Sequence, residues 1–223
     1  MTKNLGSDFM INKPPILVPG PIRRGKFIVI EGIDGAGKTE LVKSLAQDLD
    51  FEGYDVVTTH EPSSILEPYI RNLFKRPQGP PPPDEMTVLF TADRLIHMAE
   101  TIRPALERGS IVICDRHKLS TMVYQTANGA SPSLVEAMVY LPQPEPDLTL
   151  ILDLDPELAR DRMAARNGLD SYERDLEKQK RMRSMYLANR NRFGPSAVLF
   201  ADQDPAIVQG AALLIVRECI QKD

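Results

Sequence analysis

The chain has 223 residues, 42% of them hydrophobic, and a formal net charge of −4. That length can bury a sizeable core in one domain, and the mild acidity excludes the broad basic surface of a generic nucleic-acid or anionic-lipid binder, so an anionic ligand must meet a local cluster of cations. The two cysteines, Cys114 and Cys219, lack metal-ligand spacing, no apolar run reaches the roughly 20 residues that span a bilayer, and residues 1–13 show no leader pattern, so a soluble cytoplasmic protein with neither nucleic-acid nor membrane partners is expected.

Residues 1–24 mix polar residues with Pro14, Pro15, Pro19 and Pro21 and predict an extended or mobile arm, leaving 25–223 as a single domain. From Lys26 onward, short β-branched apolar runs alternate with helical patterns, the signature of βα units on a parallel sheet. Strands are predicted at Phe27–Glu31, Asp55–Thr59, Ile111–Asp115, Leu148–Leu154 and Ala197–Ala201. Their near-continuous apolar character implies burial on both faces. Helices are predicted from the glycine loop to about Leu49, over Leu66–Lys75, and over Asp84–Glu107 with a bend near Pro104. Others follow at Ser131–Tyr140 with Ser131 as N-cap, Pro156–Ala165, Tyr172–Arg192 and Ala206–Gln221. The run GPPPPD, Gly79–Asp84, reads as a stiff connector ending at the N-cap Asp84 rather than as a polyproline ligand. The expected fold is α/β, a five-stranded parallel sheet flanked by helices on both faces, without internal repeats.

The most specific motif follows the first strand. GIDGAGKT comprises Gly32, Ile33, Asp34, Gly35, Ala36, Gly37, Lys38 and Thr39 and lies between a buried strand and a helix, the context that a phosphate-binding loop requires. Its glycines let backbone N–H groups point inward at phosphate oxygens, and the following helix adds its positive end. Lys38 would reach the β and γ phosphates, and the Thr39 hydroxyl would ligate Mg²⁺. Glu40 takes a position where a small hydroxyl residue often helps hold the α phosphate; a carboxylate there is harmless if it points to solvent.

Further clusters narrow the chemistry. THEPSS, Thr59–Ser64, follows the second strand, where a second substrate would sit at the C-terminal edge of the sheet. LFTADRLIH, Leu89–His97, sets Phe90 and Arg94 four apart on one helix face, and CDRHKLSTMVYQ, Cys114–Gln125, opens at the end of the third strand. With IRPALERG (Ile102–Gly109), PDLTLILDLDP (Pro146–Pro156) and RDRMAARNGLDSYERD (Arg160–Asp175), these clusters resemble the thymidylate kinase family, in the family's order, from Lys26 to about Tyr186. The resemblance implies a P-loop nucleoside monophosphate kinase-like fold with a lid at about 160–173. It further implies Mg²⁺-dependent transfer of the ATP γ-phosphoryl group to thymidine monophosphate (dTMP), giving dTDP and ADP, by a homodimer.

Carried over by position, the resemblance makes Phe90 the aromatic on which thymine stacks, and Arg94 and Arg116 the cations that hold the acceptor phosphate, with Arg71 as a weaker third. Ser120, Thr121, Tyr124 and Gln125 fall in the base and sugar stretch, and Glu61 would order the acceptor site. Asp34 would lie near the acceptor's 3′-hydroxyl, its phosphate or the metal, and Asp115 would be a water-mediated partner of Mg²⁺. Because Gly35 stands where some relatives carry an arginine, the catalytic cations are expected from the lid: Arg162 and Arg166, with Arg160 less certain. Tyr172 and Glu173 match further lid positions. The chain departs from the family pattern at His60, at Ser63-Ser64-Ile65, which replaces a Gly-Gly-Thr run, and at His117. An altered acceptor loop keeps open a kinase for another nucleoside monophosphate such as dUMP; Glu40 keeps open a nucleotide-binding regulatory protein without turnover.

Overall fold

The computed structural model describes residues 24–167 and 175–222. The expected arm, apart from Arg24, and lid residues 168–174, among them Tyr172 and Glu173, lie outside the described residues. One parallel sheet is built from β1 (Phe27–Glu31), β2 (Val56–His60), β3 (Ile111–Asp115), β4 (Leu148–Asp153) and β5 (Ser196–Phe200), in the order β2-β3-β1-β4-β5. The helices are α1 (Lys38–Phe51), α2 (Glu67–Phe74), α3 (Pro83–His97), α4 (Arg103–Glu107), α5 (Lys118–Ala127), α6 (Pro132–Val139), α7 (Pro156–Asn167), α8 (Leu176–Ala188) and α9 (Pro205–Gln221).

Alternation along β1 divides the core into two layers. Ile28 and Ile30 join the larger cluster with Leu41 and Leu45 of α1, Val123 of α5, Met182 of α8 and Val216 of α9. Phe27 and Val29 join a second cluster with Met98, Ile102, Ala105 and Leu106. Each such Val, Leu, Ile, Phe or Met side chain, fully buried, contributes about 1.5–3 kcal/mol relative to exposure. Both faces are covered for β1 and β4, every residue of which is buried. The expectation fails for β2 and β5, most of whose residues are half-buried or exposed, because these are the edge strands.

Three sequence expectations are corrected. The helix predicted over Asp84–Glu107 is interrupted by a π-helical turn at Met98–Ile102, where the Arg103 amide donates to Met98 O, five residues back. Pro104 has no N–H and its ring would press on the carbonyl four residues earlier; widening the turn removes that clash. Asp84 is not the N-cap: Pro82 is, and the Asp84 carboxylate accepts from the Ser131 amide at 2.6 Å, tying α3 to the start of α6. Finally, α5 was not expected as a helix at all, although it carries much of the site.

Register places the functional ends together. Ile30 and His60 both pair with Asp115, and Glu31 pairs with Ile151, so the loops after β1, β2 and β3 leave the same C-terminal edge.

Candidate active site

Beyond β1 the chain curls through Gly32, Gly35 and Gly37, all at positive φ. Gly35 (φ +79°) is demanded by packing as well as by conformation, since a Cβ there would stand 2.6 Å from Ala159 O and 3.0 Å from Met163 Cγ on α7. The phosphate loop therefore sits directly against the helix that carries Arg160, Arg162 and Arg166. Lys38, only 6% exposed, donates from Nζ to Ile33 O at 2.8 Å. Burial, reinforced by repulsion from Arg116, lowers its pKa to about 8. Thr39 Oγ1 donates to Asp115 Oδ2 at 2.7 Å, while Asp115 Oδ1 is buried with no partner among the described residues. Glu40 points outward, 3.7 Å from Lys43 with a largely exposed side chain, so no carboxylate intrudes on the loop.

Arg116 follows β3 in the left-handed region (φ 74°), a conformation that costs a non-glycine residue about 1–3 kcal/mol and marks functional sites. Its Nη2 pairs with Asp34 Oδ1, and Nη1 reaches Ser120 Oγ at 3.1 Å, Gly32 O at 3.3 Å and Tyr186 Oη at 3.4 Å. The guanidinium also stacks 4.8 Å over the Tyr124 ring, whose hydroxyl donates to Asp34 Oδ2 at 2.6 Å. Burial pushes the Asp34 carboxyl up, but Arg116, Lys38 and the two hydrogen bonds outweigh it and hold it ionised below the usual range.

Two members of this cluster escaped sequence reasoning. Glu31 is fully buried and accepts from the His117 amide at 2.9 Å, the Ser120 amide at 3.1 Å and the Ser120 hydroxyl. It thereby caps α5 from across the sheet and fixes the turn holding Arg116. Burial, only partly offset by Ser120 and Arg116, lifts its pKa to about 7. Tyr186, on α8, shares Ser120 Oγ at 2.8 Å. The available signal was Glu31 itself, a carboxylate ending the otherwise apolar FIVIE run beside Gly32.

On the acceptor side, Arg94 is 1% exposed. Its Nε donates to Glu61 Oε2 at 2.9 Å, Nη2 to Thr121 Oγ1, and Nη1 is buried unpaired. Burial pushes Glu61 up, but its attraction to Arg94 prevails and takes its pKa to about 2. His117 adds little to that charge, because burial lowers its own pKa to about 3 and leaves the ring neutral near pH 7. Phe90 is half-buried against the α2–α3 cluster of Ile70, Leu73 and Met86, and Gln125 Oε1 is buried without a partner.

Not every expected residue joins. Arg71 lies on the surface, its guanidinium forked onto Glu67 at 2.8 and 2.6 Å. Arg162 Nη2 donates to Ala201 O, beyond β5, at 3.0 Å rather than to the phosphate loop, and Arg160 stands 3.6 Å from Asp161. The Arg166 backbone belongs to α7; its side chain lies outside the described residues.

Known proteins are similar to this chain in sequence. The family model described as thymidylate kinase matches residues 30–209. A probable thymidylate kinase of Pyrococcus abyssi is 38% identical over 171 residues, 74% of this chain and 82% of that protein. The thymidylate kinase of Glaesserella parasuis is 36% identical over 195 residues, 85% and 93% of the two chains. That of Ruegeria pomeroyi is 40% identical over 171 residues, covering 73% and 80%. A phosphate loop packed against α7, two carboxylate-paired arginines beside it, and this similarity across most of the chain agree: the chain belongs to the thymidylate kinase family.

Proposed function

We propose that this protein transfers the γ-phosphoryl group of ATP to dTMP, giving dTDP and ADP. The observation that carries the reading is the pairing of two distinct sites on one sheet edge. The phosphate loop with Lys38 forms the donor site, and Arg94 and Arg116, held by Glu61 and Asp34, form the acceptor site. Buried polar atoms left unpaired cost about 1–3 kcal/mol each. Arg94 Nη1, Asp115 Oδ1 and Gln125 Oε1 are all in that state, as befits groups whose partners arrive with the substrates.

Lys38 leaves Ile33 O to meet the β and γ phosphates. Arg94 turns Nη1, and Arg116 its fork, to the acceptor phosphate, which competes with Asp34 for Arg116. Phe90 stacks the base, a contact contributing about 1–3 kcal/mol, while Thr121, Tyr124 and Gln125 line the base and sugar. Thr39 and Asp115 offer an all-oxygen donor set that suits a hard cation, so they would hold Mg²⁺. When bound, Mg²⁺ neutralises charge on the β and γ oxygens. With glycine at position 35, cationic stabilisation of the transferring group falls to Arg162 and Arg166, which reach it when the lid of residues 160–173 closes and excludes water. Mg²⁺, the lid and the cytoplasmic setting are part of the same proposal.

We also propose a homodimer. Val88 and Leu95 on α3 are 48% and 42% exposed and lie seven residues apart on one face, next to Ile96 at 38%, which is the pattern of an unpartnered apolar stripe.

ADP release measured with a panel of monophosphates tests the acceptor. dTMP should give the highest kcat/KM. Absence of turnover with every acceptor despite ATP binding would sink the kinase reading, whereas preference for another base would sink only the thymidylate assignment. The second outcome has a specific motive, the Ser63-Ser64-Ile65 sequence of the acceptor loop.

A further inference from the structure

Ser63 is 2% exposed and gives both of its donors to one side chain: its amide lies 2.7 Å from Asp93 Oδ2 and its hydroxyl 2.6 Å from Asp93 Oδ1. Asp93 is itself fully buried. One residue further along α3, Arg94 Nε donates to Glu61 Oε2 at 2.9 Å. Consecutive residues of α3 thus grip alternate residues of the loop after β2, and they do so with opposite polarity. The carboxylate receives from Ser63; the guanidinium donates to Glu61. Sliding the loop by one residue along the helix would set like against like and break both contacts, so the pair fixes register as well as proximity. The hydroxyl bond is one that glycine at position 63 could not make.

We propose that Asp93 is a positioning residue for the acceptor, locking the loop Glu61–Ile65 onto α3 and thereby setting where Arg94 presents its unpaired Nη1 to the nucleoside monophosphate. The idea rests on the kinase reading above. It makes the unusual Ser63 a compensation rather than a defect: with an oxygen donor in place of a bare backbone, Asp93 is satisfied at both oxygens, and the loop needs no further anchor in its next two residues. Asp93 touches no reacting atom. Its influence reaches the acceptor directly through Arg94 and Glu61, whereas the path to Thr39 is longer, from the Glu61 amide to Asp115 O and on through the Asp115 carboxylate.

That asymmetry is the test. Steady-state kinetics would be measured on the full chain carrying Asp93→Asn, Ser63→Ala or both, varying ATP and the monophosphate separately. Asparagine preserves size but removes the charge, and its N–H₂ can be met by Ser63 only if the hydroxyl turns from donor to acceptor. Asp93→Asn should raise the KM of the acceptor about 10- to 100-fold, the worth of a hydrogen bond to a charged group. Ser63→Ala should raise it about 3- to 10-fold, and the double variant should be no worse than Asp93→Asn alone, because both changes remove one interaction. The KM for ATP and kcat at saturating acceptor should stay within about threefold. An unmoved acceptor KM in the folded Asp93→Asn enzyme, a parallel rise in both KM values, or fully multiplicative effects would each overturn the proposal. If Asp93→Asn does not fold, Ser63→Ala carries the same comparison alone. An unmodified enzyme without turnover would remove the kinase reading instead. The clamp would then be decided by amide exchange over residues 61–66 in the ligand-free chain, where Asp93→Asn should speed exchange and unchanged exchange would overturn it.

Discussion

Lys38 shows how one side chain can be tuned by its surroundings. Its ammonium is buried beside Arg116, and desolvation and repulsion bring its pKa from 10.5 down to about 8. The sign of the consequence is fixed by which form each state prefers. The triphosphate selects the cation, so binding draws a proton onto Lys38 above pH 8, and affinity should fall as pH rises through about 8 toward 10.5. For stability the sign is opposite: the unfolded chain holds the Lys38 proton up to its ordinary pKa, so this group's unfavourable contribution is present below about 8 and is relieved as pH rises toward 10.5. Titration calorimetry with a non-hydrolysable ATP analogue should show Kd rising by up to about tenfold per pH unit above 8, with proton uptake on binding. Lys38→Arg, always charged, should flatten that slope even where its absolute affinity is lower. A Kd independent of pH between 7 and 10 would mean that Lys38 is fully protonated throughout, contrary to its burial. Glycine, lysine and threonine of this loop were legible because their chemistry depends on local spacing; the displaced pKa was not, since it comes from burial by the folded chain and from Arg116, far along the sequence.

The same division between local and remote causes governs the elements. Strands β1 and β3 lie where their apolar runs end, and α1, α2, α7 and α9 fall within a few residues of their expected limits, because caps, prolines and periodicity are local signals. Helix α5 was missed because its cap is Glu31, reached through space from another strand, and its first residues carry no capping pattern of their own. The acceptor residues were therefore identified by motif before their helix was. Lid function belongs to this scale too. Ala159 and Met163 of α7 lie so close to Gly35 that there is no room there for a side chain that could take over the cationic role proposed for the lid. Arg162 rests on Ala201 O, a contact that the proposed closure would break. Replacing Arg162 and Arg166 together with alanine should slow single-turnover phosphoryl transfer by at least about 10³-fold, and ATP binding in the absence of acceptor should change far less. Near-normal rates would assign the cationic role to Arg116 and Arg94 alone.

At the scale of the whole molecule, α3 joins the surface to the acceptor site. One side of the helix holds Met86, Asp93, Arg94 and His97 in the interior, where Asp93 and Arg94 grip the acceptor loop; the other side shows Val88, Leu95 and Ile96 to solvent. A helix that places its two charged anchors inside and leaves branched apolar residues outside gains by covering the outer stripe with a second copy, at about 25 cal/mol for each Å² of apolar surface removed from water. Sedimentation velocity should accordingly give a particle of twice the 24.9 kDa chain mass. Leu95→Glu, which sets a charge in that stripe, should give single chains that still melt cooperatively. Because the stripe and the acceptor anchors share one rigid helix, the monomeric variant should also bind its acceptor less well, by several-fold in KM, while its KM for ATP stays near that of the unmodified enzyme. The donor loop is held by α1, β1 and α7, none of which takes part in the stripe. Were the unmodified protein a single chain at micromolar concentration, the stripe would have no second copy to meet, and α3 would have to be positioned from the inside alone, by Asp93 on Ser63 and by Arg94 on Glu61 and Thr121.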